Sequence, residues 1–137
     1  SGDLISPDTF RQFVAPFLKD LVGRIRAKKK YAMIHICGNT TGILEDIADI
    51  GPNCFSLENK VDLKKAKEVL GGKVCVAGNV SPIGAFLSGK PEEGVSEAEA
   101  CIEAWGKGGG YALTLGCDFP KNVPLENALA LMSLKNC

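Results

Sequence analysis

The chain has 137 residues, 45% of them hydrophobic and 23% charged, a composition that argues against disorder and supports one globular core. Lys plus Arg and Asp plus Glu each number 16, so the net charge is zero and no global field is available to hold nucleic acid or an anionic membrane. No run approaches the roughly 20 apolar residues of a spanning helix and no signal-peptide pattern is visible, so a cytoplasmic location is expected.

Ser6 can cap a first helix, Pro7 suits its first position, and Phe10, Phe13, Val14, Phe17, Leu18 and Leu21 recur at helical spacing. Pro16 is expected to break or kink that helix, and Lys28, Lys29 and Lys30 end it, where cations complement the macrodipole. Residues 31–37 are rich in β-branched, aromatic and apolar side chains and read as a strand, followed by a helix over 41–50. A second strand spans 54–58. Asp62 then caps LKKAKEVL, with Gly71 and Gly72 after it, and a third strand covers 74–77.

Gly78-Asn79 runs into Val80-Ser81-Pro82 as a turn, and a helix is expected over 81–87. SGKPEEGV, residues 88–95, reads as an exposed loop from its Gly, Pro and Glu content. Ser96 with Glu99 three residues later predicts a capping box opening the next helix, in which Trp105 packs into the core. GKGGG at 106–110 reads as the stop of that helix. It precedes a strand, whereas a phosphate-binding loop follows one. A fourth strand spans 111–117 and a last helix 124–134.

The order is a helix and then four βα units, which predicts an α/β fold with a parallel sheet. A closed barrel of eight such units takes about 250 residues, so the prediction is roughly half of a TIM-barrel-like fold. Half a barrel leaves two edge strands unpaired and part of its apolar sheet face uncovered. Residues 1–137 are therefore expected to be a fragment of a longer chain, or to self-associate through the exposed sheet edges.

His35 and Cys37 lie two residues apart at the end of the first strand, so the strand period puts them on one face. Cys117 ends the last strand and reaches the same C-terminal rim, where barrels of this class place their chemistry. One imidazole and two thiolates suit Zn²⁺, and three protein ligands leave a fourth position open, the mark of a catalytic site. Taken alone, His-x-Cys is a weak pattern, since strand cysteines are commonly small hydrophobes. Cys54, Cys75 and Cys101 are assigned to packing.

Two further strand ends share the rim. Glu58 ends FSLE and offers a carboxylate as a replaceable fourth ligand or a base, the alternative being a partner for Lys60. Asn79 can orient a ligand or serve a plain turn. Asp118 beside Cys117 can act as an acceptor behind the ligands or as a substrate contact.

The segments LISPDTFRQFVAPFLKDLVGRI, HICGNTTGILEDIADIG, FSLENKVDLKKAKEVLGG, VCVAGNVSP and GCDFPKNVPLENALALM resemble the uroporphyrinogen decarboxylase superfamily. HICGNT with a downstream GCD is similar to its zinc-dependent methylcobamide:coenzyme M methyltransferase branch. The resemblance implies zinc on His35, Cys37 and Cys117, with a carboxylate near Glu58 as a ligand when substrate is absent. Asn59 follows Glu58, where relatives can have a second acid. It implies methyl transfer from a methylated corrinoid, carried on a partner protein, to a small-molecule thiol such as coenzyme M or to a folate. It also implies that the chain is the C-terminal half of the family's barrel. Two alternatives are a metal-free lyase like the decarboxylase branch and a non-catalytic zinc-binding domain that docks a corrinoid protein.

Overall fold

A computed structural model of the chain describes residues 2–134. Ser6 caps the first helix, α1 (Pro7–Phe13), its hydroxyl accepting the Thr9 N–H at 3.1 Å. The helix breaks at Val14 and resumes as α2 (Ala15–Ala27). Pro16 explains the break, because it has no N–H to continue the ladder and suits the first turn of α2, where no donor is needed.

The remaining elements alternate: β1 (Met33–His35), a 3₁₀ turn (Thr41–Ile43) leading into α3 (Leu44–Ile50), β2 (Cys54–Ser56), α4 (Leu63–Leu70), β3 (Cys75–Val80), a π-helical turn (Gly84–Ser88), α5 (Pro91–Trp105), β4 (Tyr111–Leu115) and α6 (Leu125–Met132). The strands pair in parallel in the order β1-β2-β3-β4, with His35 opposite Ser56, Cys54 opposite Cys75 and Asn79 opposite Thr114. This is the predicted α/β architecture of about half a barrel, with β1 and β4 at the open edges of the sheet. Among the described residues, no helix is long and apolar enough to cross a membrane.

Local chemistry sets several boundaries differently from the sequence expectation. The helix assigned to 81–87 is a π-helical turn over Gly84–Ser88. Within the loop assigned to 88–95, residues 91–95 instead open α5, which begins five residues before the predicted Ser96 cap. Pro91 takes the first position, Glu92 and Glu93 occupy the first turn, and the Glu93 carboxylate accepts the Lys90 N–H at 3.0 Å. Gly94 is a packing residue there. A Cβ at that position would lie 2.9 Å from Cζ of Phe86, which is wholly buried. Strand β3 runs beyond Ala77 to Val80, so Gly78 and Asn79 belong to the sheet rather than to a turn. The other three strands end two residues before their predicted limits.

The main core lies between the sheet and its helices. Phe55, Leu57 and Val76 pack with Leu44, Ile47, Ala66 and Leu70, and Trp105 closes the far side by stacking on Tyr111 with ring centroids 5.4 Å apart. Asp62 positions α4 by accepting the Lys64 and Lys65 N–H groups at 2.8 and 3.1 Å. Exposed apolar side chains gather on α2, at Phe17 and Leu21, and on α6, at Leu125, Leu129 and Met132. These helices adjoin the two edge strands in sequence, and contiguous apolar exposure of this kind is what an open barrel presents.

Phe55 is fully buried, so Phe55→Ala is expected to destabilise the fold by about 3–5 kcal/mol. Urea denaturation measures it, and a loss below about 1 kcal/mol would contradict a core centred on this ring.

Candidate metal centre

The end of β1 presents the first two candidate ligands. His35 lies opposite Ser56 in the register, and the Ser56 hydroxyl is hydrogen-bonded to His35 Nδ1 at 3.0 Å, which orients the ring and leaves Nε2 toward the rim. His35 Nε2 is 3.1 Å from Cys37 Sγ. Cys37 follows β1 by two residues and Cys117 follows β4 by two. Their sulfurs are 3.7 Å apart.

That distance requires a curved sheet. Three strand spacings separate β1 from β4, and in a flat sheet they would amount to ~14 Å. Among the described residues, His35, Cys37 and Cys117 form the group whose ligand atoms all lie within 4.8 Å of one another. Tetrahedral Zn²⁺ with ordinary Zn–S and Zn–N lengths puts two sulfurs about 3.8 Å apart and a sulfur and nitrogen about 3.5 Å apart. The sulfur pair matches, and the His35 to Cys37 pair sits slightly inside that separation. The donor set therefore fits zinc. His35 and Cys37 are exposed and Cys117 is half-buried, so a fourth ligand has access.

Glycine at 116 permits the approach of Cys117. A Cβ there would lie 2.7 Å from the Asn59 nitrogen and 3.1 Å from Glu58 backbone atoms, contacts that no side chain can make without displacing the strand end. Glu58 lies two residues beyond β2, and its carboxylate accepts the N–H of Gly38, the residue after Cys37. Asp118 is exposed and, with His35, Ser56, Leu115 and Cys117, lines a cavity of about 180 Å³.

Asn79 sits differently from the other candidates. It is buried, its amide nitrogen donates to the carbonyls of Glu58 at 3.1 Å and Val61 at 2.7 Å, and its Oδ1 accepts the Cys101 thiol at 3.7 Å. In the structure Asn79 binds the loop that carries Glu58. Ser56 and Gly116 are participants that sequence reasoning passed over. The signal for Ser56 was its alternation with Glu58 in FSLE, which needed the strand register to acquire meaning.

The Cys37 thiol is held above its usual range, chiefly by its hydrogen bond to Cys117, then by burial, and then by the negative charge of Cys117, Glu58 and Asp118. Cys54 is pushed up to about 11, by burial first and by Cys75 second. Cys54 and Cys75 pair at the opposite ends of their strands, and with Cys101 they are half-buried. The raised thiol pKa values of Cys54 and Cys101 suit the assignment of these two to packing.

The uroporphyrinogen decarboxylase (URO-D) family model matches residues 1–136. A methylcobamide:CoM methyltransferase from Methanosarcina barkeri is 35% identical over 137 residues, 99% of this chain and 38% of that protein. A uroporphyrinogen decarboxylase from Coxiella burnetii is 29% identical over 134 residues, 96% of this chain and 37% of that protein. Among solved structures, a methyltransferase from Methanosarcina mazei aligns with a TM-score of 0.85 at 37% identity, covering 97% of this chain and 38% of that one. The chain thus spans well under half the length of the relatives it matches.

In the metal-free protein, the pH profile of Cys37 alkylation by iodoacetamide should have its midpoint above that of an ordinary cysteine. Cys117→Ala removes the largest cause and should move the midpoint down. Gly116→Ala, by displacing Cys117, should move it in the same direction. Unchanged profiles in both variants would contradict a contact between the two thiols.

Proposed function

We propose, from the premise that the chain belongs to the uroporphyrinogen decarboxylase family, that it carries the zinc site of a corrinoid-dependent methyltransferase. The reaction is transfer of a methyl group from a methylated corrinoid, held on a partner protein, to a small-molecule acceptor such as the thiol of coenzyme M or a folate. The observation that carries this reading is the open His35, Cys37 and Cys117 set at the barrel rim, with its sulfurs 3.7 Å apart. The methyltransferase relatives support it. On this reading the chain is the C-terminal half of a longer barrel, whose other units complete the substrate pocket.

His35 Nε2 and the sulfurs of Cys37 and Cys117 would hold the ion. When bound, Zn²⁺ supplies the Lewis acidity that deprotonates an acceptor thiol at neutral pH. Ser56 keeps the His35 ring in its ligating orientation. Glu58, whose carboxylate accepts the Gly38 N–H beside Cys37, would fill the fourth position before the acceptor arrives or take its proton. Asp118, exposed on the cavity wall, would contact the acceptor.

A second reading is a metal-free decarboxylase-like lyase, favoured by the decarboxylase relatives over nearly the same span. A zinc-binding module that only docks a corrinoid protein is a third. Metal analysis of the full-length protein separates the first two, with about one zinc per chain expected. Cys37→Ala and Cys117→Ala should each abolish stoichiometric zinc while leaving the thermal unfolding midpoint within a few degrees. A folded wild type without zinc would overturn the methyltransferase reading. Methyl transfer from methylcobalamin to coenzyme M separates an enzyme from a docking module, and a zinc-loaded full-length protein without it would favour docking.

A further inference from the structure

We infer that Asn79 is a positioning residue that sets the Glu58 carboxylate against the Cys37 loop, acting from behind the metal centre through the backbone. This role deepens the zinc reading and rests on it for its chemical meaning, although the linkage itself is a property of the metal-free chain.

Glu58 stands in a stretch between β2 and α4 that belongs to neither element. The stretch folds into a turn closed by the Val61 N–H donating to the Glu58 carbonyl at 3.1 Å. Asn59 and Lys60 at its tip are exposed, whereas Leu57 before it and Val61 at its end are anchored in the core. Asn79 adds a polar tie to this apolar anchoring. Its single NH₂ group spans the turn and donates to both of its end carbonyls, those of Glu58 and Val61. Oδ1 is engaged on the other side by the Cys101 thiol of α5, so the amide cannot rotate without losing all three contacts. Burial of Asn79 raises the cost of such a loss, since an unpaired amide away from water is unfavourable.

The turn transmits this constraint to the rim in two ways. The Glu58 carboxylate accepts the Gly38 N–H and so grips the backbone immediately after Cys37. The Glu58 and Asn59 backbone also forms the wall against which Gly116 packs, immediately before Cys117. Both thiol-bearing segments thus lean on one turn, and Asn79 ties that turn to β3 and α5. Neither of two simple replacements preserves the role. Asp would keep the acceptor facing Cys101 but set a second acceptor against two carbonyls, and Ala would leave the carbonyls unpaired.

The linkage can be tested without zinc. In the metal-free full chain, amide hydrogen exchange at Gly38 should accelerate at least about tenfold in Glu58→Ala, and comparably in Asn79→Ala. The Glu58→Ala/Asn79→Ala double variant should exchange no faster than Glu58→Ala alone, since both lesions remove the same contact. Multiplicative effects, or an unchanged Gly38 in Asn79→Ala, would overturn the inference. Should Asn79→Ala fail to fold, Cys101→Ala, which withdraws only the donor to Oδ1, is expected to accelerate Gly38 while Val76 in the core keeps its rate. Equal acceleration at both sites would overturn it. Zinc affinity of the same variants, measured against a chelator, should fall about 10- to 100-fold. A wild type that binds no zinc would sink the zinc reading but leave the exchange result to decide the role of Asn79.

Discussion

Everything at the rim depends on the curvature that brings the loop after β1 within contact of the loop after β4. Parallel strands lie about 4.8 Å apart, and the two cysteines are on the outermost of four. A sulfur separation of 3.7 Å is attainable only if the sheet closes toward a barrel axis and if nothing intrudes between the strand ends. Gly116 meets the second condition directly. The first follows from the core on the outer face, where Phe55, Val76 and Leu57 fill the space under α3, α4 and α5 and hold the sheet bent.

The electrostatics of the rim follow from the same closure. The Cys37 thiol pKa is raised chiefly by its hydrogen bond to Cys117, then by burial, and then by the nearby charges of Cys117, Glu58 and Asp118. A divalent cation at this point would favour the ionised form of a thiol that coordinates it. The zinc proposal rests on the geometry of His35, Cys37 and Cys117, whose ligand atoms all lie within 4.8 Å of one another. The relatives named as decarboxylases show that the fold alone does not choose between zinc chemistry and a metal-free reading.

Much of this was legible in the residues. The four β-rich runs, the Asp62 cap, and the placing of His35, Cys37 and Cys117 at corresponding strand ends all follow from period and composition. What was not legible came from contacts between elements. PEEG resembles a loop in isolation, yet Pro91 and the two acids form a helix start and Gly94 makes room for a ring from the preceding turn. Asn79 resembles a turn residue until β3 is seen to continue through it. Ser56 and Gly116 become meaningful only when the register sets one opposite His35 and the other against the Glu58 turn.

The central claim is that His35, Cys37 and Cys117 are ligands of one ion with an open position. X-ray absorption at the zinc edge of the full-length protein tests it most directly. Two sulfur neighbours are expected at about 2.3 Å beside nitrogen or oxygen, rising to three sulfurs when coenzyme M is added. A first shell without sulfur would contradict the claim, and a shell unchanged by coenzyme M would contradict the thiol acceptor.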